Sequence, residues 1–161
     1  VADEFKKDGI ILLSSILFLD HLLPKPGLLT KRKLTESEEK NVQFGIRIAQ
    51  GLSALDVGQT VVVKRRTVLA VEAMEGTDEC IRRGTALGGE EAVVVKTSKP
   101  NQDLRFDVPV IGMNTIQVLS QTKCRVLAIE AGKTLMLEKD ALIAKANVEG
   151  IAIFAWEKNG S

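Results

Sequence analysis

The stretch "TVVVKRRTVLAVEA", residues 60–73, decides the fold. Two runs rich in β-branched residues, 61–64 and 68–73, surround a short polar turn and read as an antiparallel hairpin. Working outward, "AVVVK" (92–96), "CRVLAIE" (124–130), "TLMLE" (134–138) and "IAIFAW" (151–156) share that buried-strand character. "AGK" at 131–133 reads as a second hairpin turn, joining 124–130 to 134–138. Helical patterns lie between the strands. Thr35 followed by Glu38 forms a capping box that opens the longest helix, roughly 36–55, with Val42, Ile46, Ala49 and Leu52 at helical spacing. Gly45 and Gly51 weaken that helix, which predicts a close packing partner at each. A helix turns in at Gly76, with Thr77 or Asp78 as cap, and ends at Gly88 and Gly89. Further helices are predicted at 114–123, capped by Asn114, and at 139–150. Strands alternating with helices, plus hairpins, define an α/β domain: a mixed sheet with flanking helices and antiparallel hairpins.

The N-terminal part is read differently. Residues 10–13 form a short buried strand in this reading, and Ser14 and Ser15 offer cap oxygens to a brief helix, "ILFLDHLL", stopped by Pro24 and Pro26. The loop that follows carries Lys25, Lys31, Arg32 and Lys33 as a solvated connector. The opening "VADEFKKDGIILLSS" reads as the tail of a helix feeding a strand, so the chain is expected to begin part-way into a larger protein.

Composition narrows the function. With 45% apolar residues, a sizeable core can form. The 22 basic and 21 acidic side chains nearly cancel, whereas a nucleic-acid binder concentrates a basic excess. Aromatic residues are only 4%, without tyrosine, so base-stacking platforms are also excluded. Cys80 and Cys124 have no CxxC spacing and read as reduced, buried thiols of a cytosolic protein. The longest apolar run, "GIILLSSILFL", falls short of the ~20 residues that a membrane span needs. His21 sits in the apolar helical stretch and reads as a core or surface histidine rather than a catalytic one, and Ser14 and Ser15 lack a G-x-S-x-G context.

Three groups could carry chemistry, all at strand ends, where open α/β sheets place their sites. Glu72, Glu75 and Asp78 surround the Gly76 turn, and Thr77 with the first helical N–H groups offers an anion site; the other reading is that Thr77 and Asp78 merely cap the helix. Lys96 and Lys99 follow a buried strand and suit phosphate as point charges, or are solvated strand-end residues. In "KPNQDLRFDVPVIG", Asp103, Arg105 and Asp107 alternate within a segment fenced by Pro100 and Pro109, so in an extended backbone they share one face. Asp103 and Asp107, with Asp78, are candidate ligands for Mg2+, a hard cation, and Arg105 could clamp a phosphoryl group; a local salt bridge is the alternative.

The segments "DVGQTVVVKRRTVLAVEAMEGTDECIRRG", "VVVKTSKPNQDLRFDVPVIG" and "AGKTLMLEKDALIAKANVEGIAIFA", with Pro26–Leu28, resemble one family along nearly the whole chain. It is the magnesium-dependent UDP-2,3-diacylglucosamine pyrophosphatase family of lipid A synthesis, the form unrelated to calcineurin-like phosphoesterases. The resemblance implies that residues 1–161 are the C-terminal catalytic domain, without the N-terminal domain that helps to clamp the substrate. It implies attack of water on the α-phosphorus of a lipid-linked UDP-sugar, giving UMP and 2,3-diacylglucosamine 1-phosphate. Asp103 and Asp107 would be the metal or water-activating carboxylates, either of them the essential one, and Arg105 the phosphate clamp. Glu72, Glu75, Gly76, Thr77 and Asp78 would form a second wall, with Lys96 and Lys99 completing the field. A cytoplasmic protein, peripheral to the inner membrane and paired as a homodimer, is implied as well. The competing class is a non-catalytic domain that binds an anionic nucleotide or sugar, or serves in assembly.

Overall fold

The computed structural model describes residues 16–100 and 108–157, together with Phe5, Lys7, Gly9, Ile10, Ile11, Leu13 and Ser14. A six-stranded mixed sheet forms the centre. Its strands are β1 (Gly27–Leu28), β2 (Thr60–Lys64), β3 (Thr67–Val71), β4 (Val93–Lys96), β6 (Val126–Glu130) and β8 (Ala152–Trp156), in the spatial order β1-β8-β6-β4-β2-β3. The three central strands β8, β6 and β4 run parallel, and β1, β2 and β3 add antiparallel pairs at the two sides. Val61 stands opposite Val71 across the predicted hairpin. Arg65 and Arg66 both take positive φ in its turn, the backbone that a tight two-residue connection needs.

Alternation along each strand divides the core. Val62, Val94, Leu127 and Ile153 face one side of the sheet, and Val61, Val63, Val93, Val95, Val126 and Ala128 face the other. Helix α1 (Glu36–Ala54) covers the second side, against β2 and β4. Helices α2 (Thr77–Gly88), α3 (Met113–Gln121) and α4 (Lys139–Val148) cover the first. Each of these buried valines and leucines stabilises the domain by ~1.5–3 kcal/mol relative to exposure. The predicted α/β architecture with a mixed sheet is the one found.

Local signals explain the element ends. Thr35 accepts from the Glu38 N–H at 3.3 Å while Glu38 Oε2 accepts from the Thr35 N–H at 2.8 Å, a complete capping box. Arg32, from the basic connector, donates to both oxygens of that glutamate. Gly45 has the predicted close partner: a Cβ there would lie 2.6 Å from Val95 Cγ2. Gly51 has none, and a methyl group would meet open space.

Several expectations are corrected. Ile10, Ile11 and Leu13 are 48%, 82% and 60% exposed and form no strand among the described residues. The sheet edge beside β8 is taken instead by Gly27 and Leu28, within the predicted loop. The helix at 16–23 reduces to a 3-10 turn over Asp20–Leu22, where His21 is exposed. The "AGK" turn does not close a hairpin. Strand β6 already has β8 and β4 on its two sides, so β7 (Leu135–Met136) pairs elsewhere, parallel to β5 (Val110–Ile111) in a small second sheet. Gly112, not Asn114, occupies the cap of α3. Gly76, not Thr77 or Asp78, occupies that of α2, at φ +83°, a conformation that favours glycine. Cys80 and Cys124 are buried free thiols, as expected.

Candidate active site

The carboxyl end of β4 lies against the start of β2, with Lys96 opposite Thr60. The end of β3 and the first turn of α2 close over the same point. Four side chains meet there. Lys96 Nζ donates to Thr77 Oγ1 at 2.7 Å, Thr77 Oγ1 donates to Glu72 Oε1 at 3.0 Å, and Thr60 Oγ1 lies 3.5 Å from the Thr77 hydroxyl. Lys96 is only 7% exposed. A lysine so buried needs a counter-charge and donor partners nearby, and Glu72, reached through Thr77, supplies the charge. Among the described residues the helix start has no side-chain cap, so no capping side chain occupies its first N–H groups.

An open cleft of about 360 Å³ adjoins this group, lined by Asp56, Gly58, Gln59, Glu72, Lys96, Lys99 and the 108–110 wall, among others. Two buried acceptors on its lining, Glu72 Oε2 and Gln59 Oε1, have no hydrogen-bond partner among the described residues. Buried oxygens without partners are costly unless a ligand, ion or water meets them. Gly58 lets the wall close up: a Cβ there would fall 1.9 Å from the Glu72 carbonyl oxygen, so no side chain fits.

Of the residues read as candidates, the structure brings together Glu72, Thr77, Lys96 and Lys99. Lys99 lines the cleft and pairs with Asp56 at 2.5 Å. Gly76 sets the entry of α2 without lining the cleft. Glu75 turns to Arg83, at 2.5 Å, and to the Ala73 N–H, at 3.1 Å. The Arg83 guanidinium holds its carboxyl below the usual range. Asp78 accepts from Asn114 and, at 3.2 Å, from Thr115, tying the first turn of α2 to that of α3. Neither Glu75 nor Asp78 lines the cleft. Asp103, Arg105 and Asp107 lie outside the described residues; Val108 and Pro109, which follow them directly, form part of the cleft wall.

Sequence reasoning missed Gly58, Gln59, Thr60 and Glu130. Gly58 and Gln59 sit in "DVGQ", which reads only as a helix end, and Thr60 reads only as the start of the hairpin stretch. It is the β2–β4 register, a pairing with no local sequence signal, that sets Thr60 opposite Lys96. Glu130 reads only as a strand-final residue. In the structure it accepts from Thr97 and Ser98, which immediately follow Lys96.

Among the described residues no three acidic, histidine or cysteine side chains gather as a metal cage. Magnesium needs no such cage: it takes one or two carboxylates and fills its shell with water and substrate oxygens. The partnerless Glu72 oxygen is a hard donor of the right kind, so the cleft fits such an ion.

Fold and cleft define an α/β domain whose polar, partly cationic cleft opens at the carboxyl ends of its parallel strands. The chain belongs to the LpxI C-terminal domain family, whose match covers residues 25–154. It is similar, at 32% identity over 161 residues, to the UDP-2,3-diacylglucosamine pyrophosphatase LpxI of Caulobacter vibrioides (strain ATCC 19089 / CIP 103742 / CB 15). That alignment covers 95% of this chain and 58% of the relative, so the chain spans somewhat over half of that protein's length. No described helix is long and apolar enough to cross a membrane.

Proposed function

We propose that this domain hydrolyses the pyrophosphate bond of UDP-2,3-diacylglucosamine, giving UMP and 2,3-diacylglucosamine 1-phosphate. Family membership supports a pyrophosphatase role, and the similar protein's name supplies the substrate. The observation that carries the reading is the Lys96–Thr77–Glu72 chain beside a cleft with two partnerless buried oxygens.

The residues divide the work as follows. Lys96 and Lys99 offset the negative charge of the diphosphate, and Lys96 does so most effectively because little water screens it. Thr77 keeps the ammonium in place while the uncapped start of α2 faces phosphate oxygens. Arg105 clamps the phosphoryl group bidentately. One of Asp103 and Asp107 takes the proton of a water whose oxygen bonds to the α-phosphorus, while the bond from that phosphorus to the bridging oxygen breaks. Mg2+, held by Glu72 together with Asp103 and Asp107, would supply charge neutralisation on the phosphoryl oxygens. In the same reading the domain is the C-terminal catalytic half of a cytoplasmic protein that meets its lipid substrate at the inner membrane and pairs as a homodimer.

The test is UMP release from UDP-2,3-diacylglucosamine in 18O-labelled water, by the full-length protein that carries this domain, with and without Mg2+. The reading expects Mg2+-dependent turnover, label in UMP, and loss of turnover in Asp103→Ala or Asp107→Ala. Substrate binding without turnover, or full turnover in both variants, would return the domain to the class of non-catalytic binders or displace these aspartates.

A further inference from the structure

We propose that Glu130 is a positioning residue: it acts through Thr97 and Ser98 to fix the turn that holds Lys96 and Lys99 at the cleft. The inference deepens the diphosphate-cleaving reading and rests on it for its kinetic arm.

Glu130 ends β6 and is 3% exposed. Its Oε2 accepts from Thr97 Oγ1 at 2.9 Å, from the Ser98 N–H at 2.9 Å and from Ser98 Oγ at 2.7 Å. Its Oε1 receives Lys133 Nζ at 2.9 Å. Lys133 comes from the "AGK" turn, which therefore supplies a partner rather than a hairpin. Thr97 and Ser98 are themselves buried and lie between Lys96 and Lys99. The Thr97 N–H also donates to the carbonyl of Gln59, a residue on the cleft lining, at 2.9 Å. One carboxylate thus gathers three donors from the two residues that separate the cleft's lysines.

Stability alone is a poor reason for this arrangement. A buried ion pair replaced by apolar residues of similar volume often leaves a protein as stable or more so. What an apolar residue cannot do is dictate the path of a turn that leaves a strand. Register supports that role: Lys96 pairs with Ile129, so Thr97 emerges from the sheet beside Glu130.

The test uses the full-length protein. Glu130→Met with Lys133→Met removes the carboxylate together with its outer partner, whereas Glu130→Gln keeps an acceptor toward Thr97 and Ser98. In the double variant, the amides of Thr97 and Ser98 are expected to exchange hydrogen ~tenfold faster or more, while Val93–Lys96 stay protected. Measured well below the unfolding midpoint, kcat for UMP release falls roughly ten- to a hundredfold with KM little changed, because displacing aligned groups slows the bound substrate. Glu130→Gln loses far less. Thr97→Val with Ser98→Ala, which keeps Glu130 but removes both hydroxyl donors, reproduces the fall and carries the test if the methionine variant does not fold. Unchanged exchange and kcat would overturn the proposal, and so would a Glu130→Gln variant as impaired as the double one. If the wild-type protein releases no UMP, the reaction reading fails by itself, while the exchange arm still decides whether Glu130 anchors the turn.

Discussion

Lys96 Nζ sits 2.7 Å from Thr77 Oγ1, which joins the last residue of β4 to the first residue of α2. Because the Thr77 hydroxyl donates a hydrogen bond to Glu72 Oε1, it accepts from the cation and donates to the anion at once. A threonine at that point is therefore more than a helix-start residue. It keeps lysine and glutamate at a fixed separation on the edge of the cleft.

Thr77→Val is expected to break this link. Leaving buried polar partners unmatched costs ~1–3 kcal/mol, read as a lower denaturation midpoint. UMP release should fall along with it, roughly ten- to a hundredfold in kcat, since the cationic field loses its anchor. Thr77→Ser keeps the hydroxyl and should lose much less on both measures. Equal damage from the two would show that the methyl group, not the hydrogen-bond relay, matters.

Three glycines separate close packing from chain entropy. Gly45→Ala pushes a methyl group toward Val95, and Gly58→Ala drives one into the Glu72 carbonyl; each should destabilise by ~1–3 kcal/mol. Gly58→Ala should also depress turnover, because it shifts Glu72. Gly51→Ala meets open space inside α1 and should stabilise by ~0.5–1 kcal/mol. Thermal unfolding of the three variants checks the order; a destabilised Gly51→Ala would contradict it.

Acid stability should depend on Glu130. Burial pushes its carboxyl upward, but the Ser98 N–H, the Lys133 ammonium, and the Ser98 and Thr97 hydroxyls outweigh that and hold it below the usual value of 4.5. The unfolded chain therefore binds this proton more readily than the folded one. The stabilisation is fully present above pH 4.5 and is lost as pH falls through the lower folded value. Urea unfolding followed from neutral pH downward should show a weaker acid-side decline in Glu130→Gln than in wild type. An identical decline would remove Glu130 from the acid response.

Both cysteines should be inert while the domain is folded. Burial pushes the Cys80 thiol up to about 12 and the Cys124 thiol up to about 11, so little thiolate exists near neutral pH. A thiol-reactive reagent should label neither in the native protein and both after denaturation. Rapid native labelling of Cys80 would mean that α2 opens readily from β2.

Much of this was legible because it is local. The Thr35–Glu38 box, the valine runs and the Gly88–Gly89 stop act within a few residues, and the elements they predict are found. What escaped depends on pairing at a distance. Strands β1, β5 and β7 contain two residues each, too few to show a period, and exist only because partners lie alongside. The "AGK" turn predicts a hairpin from local chemistry alone, but β6 has no free side left for β7. At the site, Glu72, Thr77 and Lys96 stood out individually as charged or capping residues at element ends. Gly58, Gln59 and Glu130 did not, since only the folded sheet brings "DVGQT" and the end of β6 beside the end of β4.

The most direct measurement is Mg2+-dependent UMP release by the full-length protein with Lys96→Met, compared with wild type at matched stability. Removing one fixed stabiliser of developing charge typically costs about 10²–10³ in kcat, and a loss of that order is the predicted result. Turnover close to wild type in a folded Lys96→Met protein would contradict the account, because the buried ammonium would then serve the fold and not the diphosphate.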